Sequence, residues 1–182
     1  SNENACEIII ERALQFTPLT RQLPTLYSFD IFDTLISRKC LYPTTIFSYV
    51  QSKMCTGTVD FPPYLLTNYS DVRQQCEQNV REYYKKSVLL RNDDHFEIQF
   101  KEIFDHMAAL YGLDDMQKDQ LMQWEIEGEL EAGIPLVPQI ALLKKYIAEG
   151  NDVVLISDMY LPKEVIVKLL QKADPLLATL PL

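Results

Sequence analysis

The chain has 182 residues, 47% hydrophobic and 24% charged, with a formal net charge of −9, enough apolar material for one real core and a small second lobe. The acidic balance argues against nucleic acid or an anionic membrane surface as partner. No apolar run approaches the roughly 18 residues of a membrane span and no secretory signal is legible, so a cytoplasmic setting is expected.

The first strong element is Tyr27-Ser28-Phe29-Asp30-Ile31-Phe32-Asp33-Thr34-Leu35-Ile36. This short apolar run predicts a strand near 26–30 that delivers two acids and a Thr into a loop. Asp30 falls at its carboxyl end, where open α/β sheets place their ligands. Hinges are expected near Ser37 to Tyr42 and Ala132 to Pro138, where the helical pattern breaks.

Helical periodicity follows. Pro43-Thr44-Thr45 opens a helix carrying Ile46, Phe47, Val50 and Met54 and closed by Gly57. After Phe61-Pro62-Pro63, the series Tyr69, Val72, Cys76, Val80, Tyr83 reads as a longer one. Asp93 or Asp94 is expected to cap a third, with the stripe Phe96, Phe100, Ile103, Phe104, Met107, Leu110, Tyr111. A fourth runs from about Met116 through Leu121 and Trp124 to Leu130, its acids Glu125, Glu127, Glu129 and Glu131 expected in solvent.

A helix from Pro138 to Glu149, with Leu142, Leu143, Tyr146 and Ile147 on one face, then leads into a second strand near 152–157. That run, Asp152-Val153-Val154-Leu155-Ile156, ends in Ser157-Asp158. Pro162 opens the last helix, with Val165, Ile166, Leu169 and Leu170 inward, and Leu176 to Leu182 reads as the start of a third strand. Far more chain separates the two strands than one crossover helix requires.

Asp30-x-Phe32-x-Thr34 and the apolar run ending in Ser157 resemble motifs I and II of the haloacid dehalogenase-like (HAD) hydrolase superfamily. The closer likeness is to its bacterial members with Phe-Asp-x-Phe-Asp-Thr-Leu and Ile-Ser-Asp-Met-Tyr-Leu-Pro signatures. The resemblance implies an α/β fold: a partial Rossmann-like core from 1–42 and 133–182, and a helical cap from 43–132 inserted after motif I. It makes Asp30 the nucleophile, Thr34 its motif partner and Ser157 the hydrogen-bond donor to a bound phosphoryl group. Mg²⁺ is implied on Asp30 and the main-chain carbonyl of Phe32, with a small, phosphorylated anionic substrate. Physically, a carboxylate nucleophile splits one hard displacement into two easier ones. The rest of phosphoryl transfer is positioning and charge neutralisation, which suits a divalent cation and hydroxyl donors.

Phosphatases of the superfamily carry a second Asp two residues after the nucleophile, and this chain has Phe32 there. Loss of that general acid costs on the order of 10²–10⁴ in rate, whereas dehalogenases carry a non-acidic residue at the position. Two roles stay open for Asp33, a substitute acid/base or a loop carboxylate, and two for Asp158, a place near the metal or a helix cap. The superfamily's later Lys and acidic pair are not found after Ser157; Lys163, Lys168 and Lys172 fall within the last helix. A truncated core with little turnover is therefore expected, self-associating through an unpaired sheet edge. Alternatives are a non-catalytic HAD-like binding or scaffold module of a larger protein, linked by family analogy to cell-surface polysaccharide synthesis, dehalogenase chemistry, or a helical interaction module. Cys6, Cys40, Cys55 and Cys76 lack metal-type spacing and read as thiols in a reducing setting. His95 and His106 read as surface or cap residues.

Overall fold

Apolar alternation and helical stripes translate into a small sheet beside a larger helical layer. The computed structural model describes residues 23–40, 42–91 and 98–182. In chain order these form β1 (Leu26–Asp30), β2 (Ile36–Arg38), α1 (Thr44–Thr56), α2 (Pro63–Arg91), α3 (Phe100–Tyr111), α4 (Asp115–Ala132), β3 (Gly133–Pro135), α5 (Val137–Ala148), β4 (Asp152–Ile156) and α6 (Lys163–Ala173). The expected positions Cys6, Asp93, Asp94, His95 and Phe96 lie outside the described residues.

β1 and β4 pair in parallel, with Leu26 opposite Asp152 and Asp30 opposite Ile156. Phe29, Val153 and Leu155 turn inward, and Tyr27 stacks on Tyr146 of α5 with ring centroids 4.0 Å apart. Leu26 and Ile156 are 66% and 51% exposed. The class is α/β, and among the described residues β1 has a strand on one side only.

β2 and β3 form an antiparallel ribbon, Ile36 opposite Pro135 and Arg38 opposite Gly133. The Lys39 N–H donates to the Ala132 carbonyl and the Leu136 N–H to the Leu35 carbonyl, each at 2.8 Å. The two stretches expected as hinges are thus joined to each other by a ladder. A side chain at Gly133 would place its Cβ 2.8 Å from Leu169 Cδ2 of α6, so the Leu169 side chain would have to shift to admit it.

The helices follow the stripes with four corrections. In α2 the buried series Tyr69, Val72, Cys76, Val80 continues at half-buried Tyr84, four residues on, and Tyr83 is exposed. α3 starts at Phe100, where the Gln99 N–H donates to the Glu102 carboxylate at 2.8 Å; Leu110 in its last turn faces solvent while Tyr111 stacks on Tyr64. In α5 the buried residues are Ile140 and Leu143, and Leu142 turns outward. The expected third strand is a 3₁₀ turn at Leu177–Thr179. There Asp174 accepts the Leu176 N–H, and Pro175 and Pro181 have no N–H to give a ladder. One bond, Leu155 N–H to the Pro181 carbonyl at 2.8 Å, ties this segment to β4.

Trp124 is buried against Phe61, and among the described residues no helix is long and apolar enough to cross a membrane.

Candidate active site

Parallel pairing sets the carboxyl ends of β1 and β4 side by side. Asp30 lies opposite Ile156, the Ile31 N–H donates to the Ile156 carbonyl at 3.0 Å, and Ser157 follows directly. The residues of the two motifs therefore meet at one end of the sheet. The Asp30 carboxylate is exposed, and no hydrogen bond or ion pair joins it to another described residue.

The turn after β1 is wound by its own backbone. The Leu35 and Ile36 N–H groups both donate to the Ile31 carbonyl, at 2.9 and 3.0 Å, and the Asp33 N–H donates to the Ile36 carbonyl at 2.8 Å. Ile31, Leu35 and Ile36 are buried beneath it, Phe32 and Thr34 are half-buried, and Asp33 stands exposed. Asp33 has φ +60°, the one non-glycine in the left-handed region among the described residues, a conformation that Asp tolerates and β-branched residues resist. Asp33→Val is expected to cost about 1–2 kcal/mol, and Asp33→Gly to be neutral or stabilising by less than about 1 kcal/mol. Urea denaturation of the two variants checks the contrast.

On the β4 side, the Ser157 hydroxyl oxygen accepts the Met159 N–H at 3.2 Å, which orients the hydroxyl without consuming its proton. Asp158 is exposed and caps nothing, since the N-cap of α6 is Pro162 and makes no side-chain cap bond. A cavity of about 360 Å³ opens beside Ser157, walled by Leu161, Ile166 and Leu182, with Lys163 at its rim. Lys163 donates to the Leu182 carbonyl at 3.2 Å, and Lys172 to the Leu130 carbonyl; neither is described in contact with Asp30.

For a divalent cation the candidate donors are the Asp30 and Asp158 carboxylates and the Phe32 carbonyl. All are hard oxygens on neighbouring strand ends, the donor chemistry Mg²⁺ accepts while keeping several waters. Among the described residues, no three or more His, Cys, Asp or Glu side chains gather to hold a metal by themselves.

The strongest electrostatic feature lies behind the Ser157 loop. Arg73 of α2 is fully buried and grips Glu125 of α4 with two parallel bonds, Nε to Oε1 at 2.7 Å and Nη2 to Oε2 at 2.8 Å. A third nitrogen donates to Glu77 at 3.0 Å, and the guanidinium lies 4.6 Å from the centroid of Phe47 and 5.5 Å from that of Phe104. Burial raises the Glu125 carboxyl above its ordinary value, against the lowering pull of Arg73. Burial alone would lower Arg73, but Glu125 beside it carries the guanidinium well upward. A second fork joins Arg38 on the ribbon to Glu129, at 3.1 and 2.9 Å. Glu125 and Glu129 are thus inside, contrary to the expected solvent-facing acids, because each has an Arg to neutralise it. Part of the signal was present in the sequence, that charges fall within apolar stripes, but not which of them pair. Arg73 falls at helical spacing among Tyr69, Cys76 and Val80, and Glu125 four residues after Leu121, so opposite charges sit within two apolar stripes.

His106 faces Asn79 at 3.2 Å. Cys40, Cys55 and Cys76 are free thiols, and burial pushes Cys76 up to about 11, so its thiolate is suppressed at neutral pH.

Compared with known proteins, the chain matches no family model and no curated protein. The chain is an α/β protein in which two parallel strand ends present Asp30 and the Ser157-Asp158 pair beside a helical layer.

Proposed function

We propose that the chain carries the Asp30 and Ser157 strands of a HAD-like hydrolase core, Rossmann-like in connection, acting on a small phosphorylated molecule in the cytoplasm. The observation that carries this reading is the register of β1 and β4, which makes Asp30 and Ser157 neighbours at the carboxyl ends of parallel strands. Asp30 is the nucleophile: its exposed carboxylate attacks phosphorus, the P–O bond to the substrate alcohol breaks and that oxygen leaves with a proton, and water then opens the acyl phosphate to orthophosphate and the free carboxylate. Ser157, its oxygen fixed by the Met159 N–H, directs its proton to the phosphoryl oxygens. Mg²⁺, held by Asp30, the Phe32 carbonyl and Asp158, would supply charge neutralisation at the phosphoryl group when bound. Asp33 stands one residue from the usual acid/base position, on an exposed turn, and in this reading is the candidate to substitute for the missing acid.

The test uses the natural gene product. Mg²⁺-dependent phosphate release from phosphorylated small molecules is expected, falling on the order of 10⁴-fold or more in Asp30→Asn. Retained turnover in that variant overturns the nucleophile assignment. Halide release from 2-haloacids with no Mg²⁺ requirement would move the reading to dehalogenase chemistry. A second reading, a non-catalytic module of a larger protein, is favoured by Phe32 at the position of the general acid; a folded protein inert toward every substrate class supports it.

A further inference from the structure

Tyr160, three residues after Ser157, is attached to the helical layer at three points. Its hydroxyl accepts from Arg73 Nη2 at 3.2 Å. Its carbonyl accepts the Phe100 N–H at the start of α3, at 3.0 Å. Its ring lies nearly parallel to that of Phe100, 5° between planes and 6.0 Å between centroids. The Arg73 and Arg81 guanidinium groups stand 5.5 and 5.9 Å from the same ring. Arg73 is in turn immobilised by Glu125 and Glu77. A continuous chain of contacts therefore runs from Glu125 in the helical layer, through Arg73 and Tyr160, to Met159 and the Ser157 hydroxyl.

We propose that Tyr160 is the positioning residue of the Ser157-Asp158 loop, fastening it to α2 and α3 so that the helical layer holds the loop in place rather than swinging clear of it. Three independent attachments through one side chain and its carbonyl are more than packing requires, and all lie within the loop that carries the proposed phosphoryl-binding hydroxyl. The ribbon and the Arg38–Glu129 fork hold the other junction between layer and sheet, so relative motion is opposed at both. The catalytic meaning of this attachment rests on the hydrolase reading, but the attachment itself does not.

Two variants separate positioning from simple packing. Tyr160→Phe keeps the ring, its stack and the backbone bond, and removes only the hydroxyl; Tyr160→Leu removes the stack as well. Amide hydrogen exchange by NMR reads the Met159 N–H, with the Leu121 amide in α4 as reference for the whole fold. Met159 exchange is expected to accelerate roughly tenfold in Tyr160→Phe and further in Tyr160→Leu, with Leu121 unchanged in Tyr160→Phe. Unaltered Met159 exchange in both variants, or a parallel change at Leu121 in Tyr160→Phe, overturns the proposal. Orthophosphate titration forms the second arm, expected to weaken severalfold in Tyr160→Phe and to depend on Ser157 when tested with Ser157→Ala. If exchange responds as expected but wild type and Ser157→Ala bind orthophosphate equally or not at all, the attachment stands and the phosphohydrolase reading fails. If phosphate binding depends on Ser157 while Met159 exchange is indifferent to Tyr160, the hydrolase reading stands and the positioning role fails.

Discussion

Replacing Arg73 by Met is expected to lower the unfolding free energy by roughly 3–5 kcal/mol, among the largest single-residue losses in this fold. The linear side chain keeps much of the packing between Phe47 and Phe104, so the loss is electrostatic. It strands the Glu125 carboxylate, fully buried, without the two nitrogens that now neutralise it. Removing both charges in Arg73→Met/Glu125→Leu is expected to recover most of the loss, because buried ion pairs often do no better than apolar groups of similar volume. The pH dependence follows in sign. Burial already holds the Glu125 carboxyl above its ordinary value of 4.5, and without Arg73 it rises further. A raised carboxyl binds its proton more tightly in the folded state, so its cost grows as pH rises from 4.5 through the folded value and vanishes below 4.5. The deficit of Arg73→Met against wild type is therefore expected to narrow on acidification. Urea midpoints at constant m measure both effects. A deficit under about 1 kcal/mol at neutral pH, or a double variant no better than the single, would show that the pair is not desolvated as described.

Phe104→Ala is expected to cost about 3–5 kcal/mol, this time through a cavity. Phe104 has no exposed surface, meets Phe100 edge to face at 4.9 Å between centroids, and lies beneath the Arg73 guanidinium. Alanine leaves a void with those neighbours fixed: Phe100 is held through Tyr160 and Arg73 through Glu125. Collapse into the space is thus resisted, which argues for the upper half of the range. Phe104→Leu, preserving most of the volume, is expected to lose about 1 kcal/mol. Because both substitutions alter the setting of one guanidinium, Arg73→Met and Phe104→Ala are expected to depart from additivity by about 0.5–3 kcal/mol. Equilibrium unfolding of the singles and the double measures this, and strict additivity would mean that ring and cation are energetically independent.

What could be read from the residues, and what could not, divides along physical lines. Strands β1 and β4 were legible because their apolar residues are bounded by polar ends, and helices α1, α2 and α6 because their buried residues keep helical spacing. α4 was legible as a helix but not in its orientation, because its buried face includes Glu125 and Glu129 and a residue-by-residue polarity scale assigns both to solvent. No local pattern announces that Arg73 lies across from one and Arg38 from the other; that pairing is made by tertiary contact alone. The ribbon of β2 and β3 was invisible for a related reason, since three-residue strands carry too little alternation to be distinguished from turns. At the candidate site, Asp30, Ser157 and Asp158 were readable as residue types at strand ends. Tyr160 was not, because its role comes from partners on α2 and α3 distant in sequence.

The ribbon also bears on chain statistics. Lys39 and Ala132 are hydrogen-bonded to each other, so everything between them leaves and re-enters the sheet region at one spot. Closing a flexible loop of that length costs on the order of 4 kcal/mol in configurational entropy. A folded set of helices whose two ends are already clasped spares the parallel pair most of that penalty. To β1 and β4, the long excursion is nearly equivalent to a tight turn, and its length is largely decoupled from the register that sets Asp30 against Ile156.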